Sequence, residues 1–372
     1  MLAGAATECC SSDAKKEESK ETIDNNTTQG ETLMKRIQAG ITRRKFFMIL
    51  QAALLCGANM GEARAETYPS RPITLIVPFT PGGSVDLIAR LSAAKMSDSF
   101  GQPVVVLNLP GASGSIATTR LVNAPPDGYT LEIVTPREIS TATLINPNIT
   151  YNVERDLAYI ALGGRSPIVI AGGQTLKNAK TFTDLVAEAR KRPKGLTYAT
   201  SGVGSPQNFL GELIKQRFDI NLVHVPFSGG TGGLLEVLGG NVDLTIITLS
   251  SALQYIKSGK LVAYGIAEEK RTPLAPEIPV LAENNELTNV DMGIWYGLVA
   301  PAKTPPVIVA RLNQVFHDVL KDPTVEAKLH QHATTVFTEG SPADFEAYAR
   351  RDIALYRNIV KATHMKLAKP LK

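Results

Sequence analysis

Short β-branched runs alternate along most of this chain with amphipathic stretches of helical period, and no other feature constrains the fold as much. Strand, helix, strand is the order that lays successive strands side by side in one direction, so the pattern predicts an α/β protein with mostly parallel sheets flanked by helices. Ile73 to Pro78, Val104 to Leu107 and Leu131 to Thr135 read as strands. Between them Ser84 to Met96 reads as a helix with Leu87, Ile88, Leu91 and Ala94 on one face, and Gly111 to Val122 as another. A second series has strands at Ile168 to Ala171, Leu196 to Thr200, Val223 to Pro226 and Val242 to Thr248. Its helices run from Thr181 to Lys191, from Pro206 to Phe218 and from about Thr231 to Leu238. Two units of about 100 residues each suit this length better than one continuous sheet. The remainder is mainly helical, Pro306 to Leu320 and Pro342 to Val360, and is expected to pack back onto the first unit. Ser341 ahead of Pro342 is a helix start, a capping hydroxyl followed by proline at the first helical position. No repeat of the length that builds a solenoid is visible.

The first 65 residues carry a different pattern. Thr42-Arg43-Arg44-Lys45-Phe46-Phe47, an apolar stretch from Met48 to Ala58 and then Ala63-Arg64-Ala65 give the basic, apolar, small-x-small order of an export signal. The apolar stretch is too short to span a bilayer. The arginine pair fits either a twin-arginine signal or a general secretory signal with a basic start, and both predict a periplasmic protein beginning near Glu66. Residues from Cys9 to Glu31 are polar and without hydrophobic period, and Met34-Lys35-Arg36 makes a more ordinary start. The 3 cysteines, Cys9, Cys10 and Cys56, all precede the cleavage point, so the mature chain needs neither disulfide nor thiolate chemistry. With 39 Lys and Arg against 35 Asp and Glu, the chain lacks the basic excess of a nucleic-acid or anionic-membrane binder.

Three glycine-rich loops, each between a strand and a helix, are the places for chemistry. Pro78-Phe79-Thr80-Pro81-Gly82-Gly83-Ser84-Val85-Asp86 removes Cβ atoms where a helix begins, so that backbone N–H groups can meet an anion such as a carboxylate, with Ser84 as the expected N-cap. The same residues equally suit a tight turn with Asp86 pairing to Arg90 four residues on. Thr200-Ser201-Gly202-Val203-Gly204-Ser205-Pro206 offers hydroxyls and two glycines without fixed positive charge; it lacks the lysine of a triphosphate loop and the third glycine of a dinucleotide loop. Pro226 to Gly233 reads equally as a flexible turn or a site. All three follow strands, and ligands of open parallel sheets bind at the carboxyl ends of strands.

Catalytic constellations are poor. Ala199 replaces the first glycine that a nucleophile elbow around Ser201 needs. His330 and His332 have no acidic partners at metal spacing and read as solvated, His224 reads as a satisfied core residue, and no metal or cofactor is expected.

With these loops placed, residues 66 to 372 resemble the substrate-binding proteins of the tripartite tricarboxylate transporter, the Bug receptor family. The resemblance rests on Tyr68-Pro69-Ser70-Arg71-Pro72-Ile73, on Pro78 to Gly83 with Asp86 and Arg90, and on Asp127-Gly128-Tyr129-Thr130-Leu131. Tyr198 to Ser205, His224-Val225-Pro226-Phe227, Leu238-Gly239-Gly240-Asn241-Val242-Asp243, Lys257-Ser258-Gly259-Lys260-Leu261 and Trp295-Tyr296-Gly297 before Ala300-Pro301 extend it. It implies a two-lobed periplasmic-binding-protein fold, a Venus flytrap, with 66–165 and 271–372 as one lobe and 166–270 as the other. It also implies a small carboxylate held between the lobes and delivered to membrane transporter subunits, by a protein expected to be a monomer.

The implied ligand set is Phe79, Thr80, Pro81, Gly82, Gly83, Ser84 and Asp86 at one end of the ligand. Thr200, Ser201, Gly202, Gly204 and Ser205 hold the other, with Thr248 and Arg137 added. Departures from the family pattern are Gln207 and Asn208, where a histidine is common, and Pro136-Arg137-Glu138 in place of a hydroxyl-and-histidine stretch. Arg137 either faces the cleft, adding a guanidinium for a further carboxylate, or pairs with Glu138 or solvent. A ligand sensor for a signalling system and an exported enzyme acting on small acids are the alternative readings.

Overall fold

The computed structural model describes residues 68–363 except 228 and 289, so the expected export signal, its expected cleavage point and the loop position at 228 lie outside the described residues. The first unit runs β1 (Ile73–Val77), α1 (Ser84–Phe100), β2 (Val104–Asn108), α2 (Ser115–Val122) and β3 (Thr130–Val134). A single wide helical turn, Arg137–Thr141, then leads into the short α3 (Ala142–Ile145) and β4 (Leu157–Gly172). The second series is α4 (Phe182–Lys191), β5 (Leu196–Thr200), α5 (Pro206–Phe218), β6 (Leu222–Pro226), α6 (Gly230–Leu238), β7 (Leu244–Thr248), α7 (Leu249–Lys257) and β8 (Val262–Ile266). The chain ends with β9 (Gly293–Pro301), α8 (Pro306–Leu320), α9 (Pro323–Gln331), β10 (Thr335–Val336) and α10 (Pro342–Thr363).

Helix starts follow the local chemistry. Ser205 caps α5 by accepting from the Asn208 N–H with Pro206 behind it, and Ser341 and Asp344 exchange hydrogen bonds at the start of α10. The expected cap of α1 is corrected: Gly83 occupies the N-cap position with no side chain to offer, and Ser84 is already helical. The helix also runs four residues past Met96, until Gly101 turns left-handed at φ 64° and ends it.

The strands order as β2-β1-β3-β9-β4-β7-β5-β6, with β8 and β10 also on β4. Within each series the pairing is parallel, β1 with β2 and β3, and β5 with β6 and β7. The strands that join the series, β4 and β9, pair antiparallel with everything they touch, so each lobe has a parallel centre and an antiparallel inner edge. β4 also replaces the expected break between two separate sheets. Leu157 to Pro167 pairs with β9, and Ile168 to Gly172 continues onto β7 and β8. Two register shifts, between Tyr159 and Ala161 and between Leu162 and Gly164, bend the strand, and past them Arg165, Ser166 and Pro167 pair in register with Trp295, Ile294 and Gly293. A Cβ on Gly163 would lie 2.8 Å from the Phe316 ring, and one on Gly164 2.7 Å from the Thr335 carbonyl, so close packing demands those glycines.

Each sheet is covered on both faces. Ile73, Leu75, Leu131 and Ile133 pack under α1 and α8, and Ile76, Val134 and Trp295 under α2 and the first half of α10. In the other lobe Ile170, Leu196, Tyr198 and Ile246 pack under α4 and α5, and Val169, Ala199 and Ile247 under α6 and α7. The return to the first lobe falls later than residue 271, because Ala275, Ile278 and Val280 fill one core of the second lobe and Leu287, Val290 and Met292 the other. α10 does not pack on the first lobe alone: Phe345, Ala349 and Ile353 do, whereas Tyr356 and Ile359 enter the second lobe's core, Tyr356 edge-on to Phe209 at 5.1 Å.

Candidate functional site

Two of the three loops lie at the carboxyl ends of β1 and β5, and the structure separates residues that are open from residues that brace. Thr80, Pro81, Gly82 and Gly83 are exposed, with Phe79 and Ser84 half-buried. A Cβ on Gly82 or Gly83 would meet nothing within 4 Å, so the space over the start of α1 is free. With glycine as N-cap, the first amides of α1 have no side-chain acceptor. Asp86, one of the expected ligand residues, braces the loop. It is 4% exposed, and its carboxylate accepts from the Gly82 N–H (3.0 Å), Arg90 Nε (2.9 Å) and Asn108 Nδ2 (2.9 Å). Burial works to raise its pKa, but the bonds from Arg90, Gly82 and Asn108 outweigh it and hold the carboxyl below its ordinary value. Asn108 also donates to the Phe79 carbonyl, so this group sets the loop's path.

The loop after β5 is closed on itself more than its sequence implies. Thr200 Oγ1 accepts the Gly202 N–H (3.1 Å), Asn208 Oδ1 accepts the Gly204 N–H (3.1 Å), and Ser205 Oγ donates to the Gly202 carbonyl (2.7 Å). Thr200, Gly204 and Ser205 are buried and braced in this way, which leaves Ser201, Gly202 and the 60% exposed Val203 facing outward. Gly204 is glycine for packing: at φ +71° its Cβ would stand 1.9 Å from Ile145 Cδ1. Beneath the loop, His224 stacks on Tyr198 at 4.9 Å, lies 2.7 Å from Thr200 Oγ1 through Nε2 and 3.3 Å from Asn208 Nδ2 through Nδ1. It is a satisfied, half-buried histidine, as expected, and burial lowers its pKa. Asn208, which stands where the family often has a histidine, is thus part of the loop's frame.

Arg137 and the turn that follows β3 lie against this loop. The Arg137 N–H donates to Thr135 Oγ1 (3.2 Å) and its Nη2 to the Ser201 carbonyl (2.9 Å), while Thr141 Oγ1 donates to the Gly204 carbonyl (2.8 Å). Pairing with Glu138 is not what Arg137 does, since Glu138 turns inward and accepts from the Thr135 N–H and hydroxyl. Burial lowers the Arg137 pKa, opposed by the nearby Glu138 charge. Thr248 ends β7 at the N-cap of α7, its hydroxyl 3.1 Å from Ser250 Oγ and 3.2 Å from Ser251 Oγ. Two of the third loop's glycines serve packing: a Cβ on Gly230 would lie 2.9 Å from Ile247 Cδ1, and one on Gly233 2.7 Å from Ala199 Cβ, whereas one on Gly229 would meet nothing within 4 Å.

Sequence reading missed Tyr296, whose hydroxyl lies 3.3 Å from Ser84 Oγ and 3.1 Å from Ser166 Oγ, with Ser166 in turn 2.7 Å from Thr334 Oγ1. This file of buried hydroxyls ties the start of α1 to the strands that join the lobes. Its only signal in the sequence is one tyrosine in an apolar run. His330 and His332 are exposed, and among the described residues no group of three His, Cys, Asp or Glu gathers for a metal.

Comparison with known proteins gives one consistent result. Residues 88–365 match the family described as the tripartite tricarboxylate transporter family receptor. Protein BugT of Bordetella pertussis is 33% identical over 305 residues, covering 82% of this chain and 92% of that protein. Among solved structures, R. palustris Rpa4515 with adipate superposes with a TM-score of 0.73 at 30% identity, over 80% of this chain and 98% of that one. MatC (Rpa3494) from Rhodopseudomonas palustris with bound malate gives 0.71 at 29% identity, over 79% and 100%. The periplasmic binding protein BugD gives 0.71 at 29% identity, over 80% of this chain and 99% of that one.

Proposed function

The chain belongs to the tripartite tricarboxylate transporter receptor family, a family of solute-binding receptors rather than enzymes, and from that membership we propose that it captures a small carboxylate between its two lobes in the periplasm. The observation that carries this reading is the pairing of two open lips at the carboxyl ends of parallel strands: Gly82, Gly83 and Ser84 with the uncapped amides of α1, and Ser201, Gly202 and Val203 beside Arg137. Backbone amides at a helix start, hydroxyls and one guanidinium suit a carboxylate better than a polyphosphate. Solved relatives with adipate and with malate bound support the same class of ligand. Delivery goes to the membrane subunits of a tripartite transporter, the receptor acting as a monomer. Among the described residues no helix is long and apolar enough to cross a membrane.

A thermal-shift screen of mono-, di- and tricarboxylates against nucleotides, sugars and amines tests the proposal. A true ligand stabilises by RT ln(1 + [L]/Kd), about 2.7 kcal/mol at a hundredfold excess over Kd, which is readily visible. The expected leaders are carboxylates, recovered unchanged after incubation. A nucleotide or amine outperforming every carboxylate, or conversion of the carboxylate to a product, overturns it.

A further inference from the structure

Arg137 is a cation without a carboxylate. No Asp or Glu oxygen lies within 4.0 Å of its guanidinium among the described residues, whereas Arg90, Arg165 and Arg192 all have such partners. Its neighbour in sequence, Glu138, is fully buried and spends its charge-bearing oxygen on Thr135. The one protein bond of the guanidinium goes to a neutral acceptor, the Ser201 carbonyl, across the gap between the turn after β3 and the loop after β5. A half-buried guanidinium has given up part of its hydration, and a single carbonyl returns only part of that loss. Gly202, at φ +119°, would place a Cβ 3.4 Å from Nη2, so glycine at that position keeps a side chain off the guanidinium. The two lips themselves, Pro78 to Val85 and Thr200 to Pro206, contain no Lys or Arg, so Arg137 is the fixed charge of this half of the cleft.

We propose that Arg137 is the specificity-determining residue of the cleft: it binds a second acidic group of the ligand, so that the receptor selects diacids over molecules of the same length carrying a single charge. This rests on the carboxylate reading of the cleft and adds to it which residue discriminates. One carboxylate sits over the amides at the start of α1, and the other takes the planar fork of Arg137 beside Ser201 and Gly202. A bidentate pair forms with a carboxylate and not with a carboxamide, because the amide replaces one acceptor by a donor and removes the charge. Arg137 is a binding residue by position and not by pattern, since it replaces a hydroxyl-and-histidine stretch.

The test compares α,ω-dicarboxylates of three to six carbons with their monoamides by titration calorimetry. The wild-type protein is expected to prefer the best diacid over its monoamide at least tenfold, and Arg137→Ala to bring that ratio close to one. Arg137→Lys, which keeps the charge without the fork and serves if the alanine variant folds poorly, is expected to retain an intermediate preference. A ratio near one in the wild-type protein, or an unchanged ratio in Arg137→Ala, overturns the assignment of Arg137 while leaving the carboxylate reading in place. Binding of no carboxylate of any kind overturns both.

Discussion

Glu138 is wholly buried, with one carboxylate oxygen accepting from Thr135 and the other unpartnered beneath Gly114, where a Cβ would come within 2.2 Å of it. Glu132 on β3 shares the pocket, as do Thr118 on α2, which donates to Glu132, and the Tyr151 hydroxyl, which has no partner. Burial pushes the Glu138 carboxyl up to about 7, moderated by the Thr135 bonds and the Arg137 charge, and Glu132 also rises through burial and its acidic neighbour. A raised carboxyl binds its proton in the native state after the unfolded chain has released it, so stability falls as pH climbs from the unfolded value of about 4.5 through about 7. Glu138→Gln removes that loss, on the order of 3 kcal/mol for this group. Urea unfolding from pH 5 to 8 is expected to give a flatter profile for the variant, and parallel profiles count against it. In sequence Glu138 looks like part of a polar turn and Glu132 like the polar residue of a strand. Only α2 and the segment carrying Tyr151, folded over them, take both out of water.

At the scale of elements, the two glycine loops look alike in sequence and behave differently in space. Both were legible as strand-to-helix turns, since Gly-Gly and Ser-Pro mark helix starts whatever surrounds them. Which glycine has open space over it was not. Gly83, at φ −83°, accepts a side chain in empty space, and Gly204, at φ +71°, does not. Gly83→Val is therefore expected to leave stability within about 0.5 kcal/mol of wild type while weakening carboxylate binding by shielding the α1 amides. Gly204→Val is expected to lose about 2 to 4 kcal/mol of stability through left-handed strain and the Ile145 collision, whatever the ligand does. Denaturant unfolding beside calorimetry separates the two, and wild-type affinity in Gly83→Val removes that loop from the site. Helices with a clean stripe, Pro206–Phe218 and Pro306–Leu320, were legible to the residue. β4 was legible only over Ile168 to Ala171; its first part was not, because Gly163 and Gly164 answer to Phe316, Thr335 and the register shifts rather than to their own neighbours in sequence.

At the scale of the whole molecule, the described residues form two lobes that share β4, β9 and α10, so neither lobe's core is closed by one stretch of chain. The described residues open at Tyr68, which packs edge-on to Tyr129 at 5.2 Å and donates to the Gly128 carbonyl. Cleavage after Ala65 leaves all of this intact, so the exported protein is expected to begin at Glu66 or within a few residues. N-terminal sequencing of the periplasmic form checks it, and recovery of the Cys9 region counts against it. Replacing Arg43 and Arg44 with Lys separates the routes, undiminished export pointing to the general secretory pathway. By itself the sequence determined the α/β class, most helix starts and the position of the glycine-rich strand-to-helix loops, because period, capping hydroxyls and glycines act over a few residues and survive without a partner. The tertiary structure alone decided the antiparallel joining strands, the late return near Gly293, the division of loop residues into open and braced, and the isolation of Arg137 from Glu138. Those depend on which distant atoms fill the space around a residue, and burial, hydrogen-bond partners and charge neighbours come into being only when the chain has closed.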